Sequence, residues 1–238
     1  MAQPQVLVLQ HAPWERPGRI LDALEEIGIG AEVDSILDDK KPRLPRFDSL
    51  AGVVLMGGPM SAADVEQHPG LKAEAKLARA CVTSGKPILG VCLGHQIIAT
   101  ALGAKLKKGK AEEIGYAPVQ RVDSHLHFPL FSSELTVLNW HQDSVSVPDG
   151  AQLLASSKHT KNEAFRLGSA LGLQFHTEVK ASLLDEWLKT KEMTEGLKKA
   201  QIEAIRTDFE RYDSEISVFA DALFSGFAAR CVTHARSL

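Results

Sequence analysis

LGVCLGHQ, residues Leu89 to Gln96, sets one cysteine between two glycines, with an apolar strand-like run before it and a helix-like run after it. Gly90-Val91-Cys92-Leu93-Gly94 reads G-x-C-x-G, the thiol counterpart of a nucleophile elbow, in which a reactive side chain sits on a sharp strand-to-helix turn. A helix starting at Leu93 would direct its free N–H groups and its positive dipole end towards the sulfur, and both favour thiolate. Free cysteine titrates near ~8.5, and a helix N-terminus or an adjacent imidazolium lowers that to roughly 3.5–7.5. The ordinary alternative is a buried cysteine that only fills space. Two flanking glycines at a strand-to-helix junction favour the elbow.

On both sides of the elbow, short apolar runs alternate with helical patterns. QVLVLQ (5–10), AEVDSI (31–36), GVVLMG (52–57) and PILGV (87–91) read as strands. Helices are expected near Arg19–Ile27, near Leu71–Ser84 and from Leu93. This is the rhythm of a mainly parallel sheet covered by helices, an α/β fold. From Ala104 to Glu178 the strands come closer together, in YAPVQRV, LTVLNW, AQLLASS, AFRLG and SALGLQF, so that half is expected to be mainly β. Beyond Val179 the chain turns charged and helical, with Ile202, Ile205, Phe209, Tyr212, Ile216, Phe219, Leu223 and Phe227 recurring every three or four residues. The expected organisation is one α/β domain over 1–190 and a helical extension over 191–238 packed on it. A docking helix for a partner is the alternative reading of that stripe.

The 238 residues, 44% of them apolar and 24% charged, suit one globular domain with a substantial core. A formal charge of -3 and a longest basic cluster of only Lys105 to Lys110 give no field for a phosphate backbone, so nucleic acid is not an expected partner. No apolar stretch reads as long enough for a bilayer span and the first residues lack a basic leader, so no membrane role is expected and the cytoplasm is the expected location. Cys81, Cys92 and Cys231 are odd in number and far apart, in neither a disulfide framework nor zinc-ligand spacing.

A thiol nucleophile needs a base and a group to orient it. GLQFHTEV supplies His176 and Glu178 two residues apart at the end of a predicted strand, where extended geometry would turn them the same way. Glu178 could then fix the tautomer of His176 while the other ring nitrogen faces the sulfur. Among nine histidines and thirty acids such a pair alone is weak, and its weight comes from the elbow. Gly57-Gly58-Pro59, after a buried strand, can expose N–H groups to an oxyanion, although a plain turn would use the same residues. The amide of Leu93, just after the thiol, is the natural second donor. His95, next to the elbow, reads as structural, His125 and His127 as loop histidines without a third metal ligand, and Cys81 as core. His11 and Trp14 follow the first strand and are placed near the cleft with no derivable role.

Together the G-G-P turn, the G-V-C-x-G-x-Q elbow and the Q-F-H-x-E strand, in that order, resemble the class I (triad) glutamine amidotransferases over roughly Val6 to Leu188. EEIGYAPV (112–119), NWHQDSVSVP (139–148) and NEAFRLG (162–168) look like the free-standing subgroup similar to the GMP synthase glutaminase domain. The resemblance implies a Rossmann-like three-layer fold, a Cys92–His176–Glu178 triad, and an oxyanion hole of the Gly58 and Leu93 amides. It also implies substrate contacts from Gly57, Gln96, His141, Gln142 and Asp143, with no metal and no organic cofactor. Thr177 stands where the family commonly has proline, which leaves the triad in place. Gln142 stands where a glycine is common, beside Asp143, and bears on substrate preference.

The expected function is glutaminase-type hydrolysis of glutamine or another γ-glutamyl amide, releasing ammonia for a separate synthase. A stand-alone hydrolase of γ-glutamyl peptides or conjugates needs the same machinery and is the alternative. A non-catalytic partner-binding module is the third reading, and its mark would be a broken triad.

Overall fold

The structure is a computed structural model that describes residues 5–109 and 113–237; Lys110 and Glu112, which belong to segments singled out above, lie outside the described residues. The first half alternates as the apolar periodicity requires: β1 (Gln5–Leu9), α1 (Arg19–Glu26), β2 (Gly30–Asp34), β3 (Leu50–Leu55), α2 (Gly70–Ser84), β4 (Ile88–Val91) and α3 (Leu93–Ala101). The second half is β-rich: β5 (Leu106–Lys107), β6 (Glu113–Arg121), β7 (Glu134–His141), β8 (Ser144–Val145), β9 (Gln152–Ser156), β10 (Ala164–Leu167) and β11 (Ala170–Leu173). Three helices follow: α4 (Ala181–Trp187), α5 (Lys191–Thr194) and α6 (Lys199–Ala235).

Nine strands form one sheet in the order β2-β1-β3-β4-β11-β10-β9-β6-β7, while β5 and β8 make a small separate ribbon. From β2 to β11 neighbouring strands are parallel, and from β11 to β7 they are antiparallel. All six residues of β3 are buried, as a strand covered on both faces must be. On one face α2 and α3 supply Leu77, Ala78, Ile97 and Ile98 to the core; on the other α1 and α6 supply Ile20, Leu24, Phe224 and Phe227. The late return of β11 beside β4 positions the site, because Leu173 pairs with Val91 and the two chain segments leave the sheet side by side.

The tail stripe folds back as one 37-residue helix. Ile205, Ile216, Phe219, Leu223 and Phe227 are buried, and Phe219 packs edge-on against Phe128 and Phe131. At ~1.5–3 kcal/mol for each large apolar side chain removed from water, that packing accounts for the stripe without a partner. One expectation changes. By length and composition α6 passes for a membrane span, with a mean hydropathy of 1.3 over an 18-residue window, because its core-facing residues fall within one stretch with few charges; 44% of that window is buried inside the domain.

Candidate active site

Cys92 caps α3 with φ 51° and ψ -104°, the one positive-φ residue other than glycine among the described residues. This is the elbow predicted from G-x-C-x-G, and both glycines are sterically required. A Cβ on Gly94 would run into the Leu55 carbonyl, and one on Gly90 would meet the Gly94 carbonyl. The turn is pinned by the Cys92 N–H donating to the Leu173 carbonyl at 2.8 Å and the Gly94 N–H donating to Met56 at 3.0 Å.

His176 and Glu178 lie beyond the end of β11, and not at the end of the strand itself as expected from sequence. The chain bends after Leu173, so that the His176 N–H reaches across to the Leu138 carbonyl of β7 at 2.8 Å. The pair meets nonetheless: Nδ1 of His176 and Oε1 of Glu178 are 2.7 Å apart, both side chains almost wholly buried. The ring stands edge-on against Trp187 with centroids 5.0 Å apart. Arg19, itself buried, donates to the carbonyls of Thr177 and Val179 on either side of Glu178, and to Asp213 of α6 at 2.7 Å. One side chain thus ties the H-x-E segment to the tail helix.

Apart from the Cys92 thiol, the described residues offer Nε2 of His176 no hydrogen-bond partner. Burial pushes the Cys92 thiol above its ordinary value, and the hydrogen bond and charge of His176 only partly offset that. For His176, burial is outweighed by the charge of Glu178 and by the bonds to Cys92 and Glu178, so the ring sits well above its ordinary value. The pair sets an imidazole that favours its proton beside a thiol that burial holds above its ordinary value.

A cleft of about 480 Å³ opens over Cys92, lined among others by Glu15, Gly58, Leu93, Gln96 and Asp143. The amides of Gly58 and Leu93 lack a backbone acceptor among the described residues. Gln96 gives both amide protons away, to the Asp143 carbonyl at 3.0 Å and to Gln174 at 3.1 Å, leaving its own carbonyl for a ligand. The Asp143 carboxylate accepts from the Ser61 hydroxyl at 2.6 Å and the Gly109 N–H at 2.9 Å, which ties the rim loops together. Gln142 is exposed at the mouth. His141 lines the wall, but its Nδ1 is turned to the Asp143 carbonyl at 3.1 Å and its Nε2 lies 3.6 Å from Glu113. Gly57 does not line the cleft; it stands behind Gly58 with its carbonyl bonded to His11. His95, adjacent in sequence, is fully buried edge-on against Phe165, with no nitrogen bonded.

Two residues carry more than sequence reading assigned. His11 places Nδ1 3.0 Å from the Gly57 carbonyl and Nε2 2.8 Å from Glu74. Burial alone would lower its pKa, yet the charge and bond of Glu74 and the bond to Gly57 raise it. A doubly protonated ring satisfies both acceptors. Glu15, not singled out from sequence at all, is a buried carboxyl on the cleft wall whose pKa is pushed up to about 7, first by burial, with His176 pulling it down and Glu178 pushing it up.

The pattern defining the family "Glutamine amidotransferase class-I" matches residues 18–193. The chain belongs to the class I glutamine amidotransferases. Among its relatives is a glutamine amidotransferase-like protein, YfeJ, of Salmonella typhimurium, 32% identical over 177 residues that cover 71% of this chain and 73% of that one. One of the subunits of the glutamine-hydrolysing GMP synthase of Saccharolobus solfataricus is 33% identical over 64% of this chain and 79% of its own, whereas the match spans only 32% of the longer GMP synthase of Aeropyrum pernix. The crystal structure of a glutamine amidotransferase from Thermotoga maritima superposes with a TM-score of 0.87 at 29% identity, covering 96% of this amidotransferase and 99% of that one.

Proposed function

We propose that this amidotransferase hydrolyses a γ-glutamyl amide, glutamine foremost, through a Cys92–His176–Glu178 triad and a glutamyl thioester. The observation that carries the reading is the strained Cys92 turn beside an imidazole whose far nitrogen is held by a buried carboxylate at 2.7 Å. Cys92 sulfur attacks the γ-carbonyl carbon, and the oxyanion that forms is held by the N–H groups of Gly58 and Leu93. His176 delivers its proton to the departing nitrogen, so ammonia or an amine leaves and the thioester remains. Water, deprotonated by His176, then attacks the thioester, and glutamate leaves as the thiol regains its proton. Glu178 keeps the ring in the productive tautomer throughout. The carbonyl of Gln96 and the carboxylate of Asp143 are placed to accept from a substrate α-ammonium group.

The released ammonia feeds a separate synthase, a reading supported by the naming of the Saccharolobus solfataricus relative as one subunit of its enzyme. Three free thiols fit a reducing cytoplasm. A self-contained γ-glutamyl hydrolase is the second reading, favoured by Gln142, which puts a polar side chain at the cleft mouth where an amine portion larger than ammonia would lie. Ammonia or amine release per active site, from glutamine and from a panel of γ-glutamyl amides, tests both. The expected result is slow turnover of glutamine and detectable turnover of at least one larger amide. Exclusive and fast glutamine turnover would remove the second reading, and no release from any substrate would overturn the proposal for the isolated chain.

A further inference from the structure

Behind the cleft wall, three side chains from separate chain segments of the antiparallel half converge. Glu113 opens β6, His141 closes β7 and Glu163 stands just before β10. One metal-capable atom from each lies within 4.8 Å of the other two. Nε2 of His141 and Oε2 of Glu113 are 3.6 Å apart, too far for a hydrogen bond and close enough to share an ion.

The polarity of these groups is what points to a ligand. The Asp143 carbonyl can only accept, so the His141 nitrogen facing it, Nδ1, carries the ring proton. In its neutral form the ring therefore turns the lone pair of Nε2 towards two carboxyl groups. Glu163 is fully buried and, like His141 Nε2, its oxygens have no hydrogen-bond partner among the described residues. Three lone-pair donors facing one another away from water are costly unless a cation stands between them.

The groups around the cluster are those that orient metal ligands. The remaining N–H of His141 is anchored on a backbone carbonyl, and the Glu113 carboxylate accepts from the Thr160 hydroxyl at 2.6 Å and the Ser157 hydroxyl at 3.4 Å. We propose that Glu113, His141 and Glu163 bind one divalent transition-metal ion of the zinc type, through one imidazole nitrogen and two carboxylates. The ion would join the ends of β6 and β7 to the segment entering β10. Because His141 immediately precedes Gln142 and Asp143, it would also fix the rim of the cleft. Its role is to position, since no ligand is required to touch the reacting carbon.

The test uses the full chain carrying Cys92→Ala, which removes the soft thiolate that would otherwise compete for zinc. Protein stripped with a chelator is titrated with Zn²⁺ by calorimetry and with Co²⁺ by absorbance. One equivalent should bind, and adding Glu163→Gln, close in shape, should weaken that binding by at least ~100-fold. Thr160→Val, which keeps all three ligands and removes one orienting bond, should weaken it about 10-fold. Absence of stoichiometric binding overturns the proposal and leaves a proton shared between the two acids. Binding undiminished by Glu163→Gln also overturns it, by placing the ion elsewhere, as at His125 and His127. Should circular dichroism show that Glu163→Gln does not fold, the Thr160→Val arm decides, and unchanged affinity there refutes the site.

Discussion

His11 Nδ1 lies 3.0 Å from the carbonyl oxygen of Gly57, and that carbonyl belongs to the same peptide unit as the N–H of Gly58. The peptide is planar and trans, so pulling its oxygen towards His11 turns its N–H the opposite way. Glu74, buried behind His11 at 2.8 Å, holds the ring in place. The donor expected in the oxyanion hole is thus aimed by a residue that does not itself line the cleft.

Removing one oxyanion donor outright costs ~10²–10³-fold in turnover, and mis-aiming it should cost less, so His11→Ala should lower kcat about 10-fold. KM should change little, and the rate of Cys92 alkylation should stay near wild type, because the thiol and its base are untouched. Parallel steady-state and alkylation rates would separate this from a general loss of structure, in which both fall together.

Glu15 makes stability depend on pH. Its folded pKa, about 7, stands above the ordinary 4.5, so the folded state holds a proton that the unfolded state releases. Stability contributed by that proton is fully present below about 4.5 and is lost as the pH rises through about 7. Glu15→Gln removes this dependence. Denaturant melts at pH 5 and pH 8.5 should therefore show the variant gaining on wild type, by up to ~3 kcal/mol at the higher pH. An equal difference at both pH values would mean that Glu15 is ionised throughout.

Roles within the triad separate by kinetics. In the proposed triad Glu178 orients the base and transfers no proton to substrate, so Glu178→Gln should slow turnover on the order of 100-fold less than His176→Ala does. Steady-state rates of the two folded variants check this. A greater loss from Glu178→Gln would assign the carboxylate a different part.

The elbow was legible in sequence because its requirement is local: glycines two residues either side of a cysteine, between an apolar strand and a helix. The parallel half of the sheet was legible for a similar reason, since a run such as GVVLM fits only a strand covered on both faces. His11 escaped because its partner carbonyl is 46 residues away, and its neighbours in HAPWERPG say nothing of it. Glu15 was hidden because a lone acid in a loop reads as solvated, and only folding puts it behind the cleft wall. His176 and Glu178 meet as the two-residue spacing suggested, but beyond the end of β11: the chain bends after Leu173 and the His176 N–H bonds the Leu138 carbonyl on β7, a contact that period-two alternation does not encode. The Glu113–His141–Glu163 cluster draws on three separate chain segments and has no linear signature.

Everything proposed for the cleft depends on Cys92 being the reacting thiol, and covalent labelling reads that out. Burial pushes all three thiols up, Cys81 and Cys231 to about 12, and Cys92 alone has an imidazole that partly offsets it. The folded chain is exposed to a limiting amount of a glutamine-like electrophile, digested, and the modified peptide identified by mass spectrometry. A single adduct on Cys92 is expected, lost when His176 is replaced by Ala. Preferential modification of Cys81 or Cys231, or labelling of Cys92 that does not depend on His176, would refute the assignment.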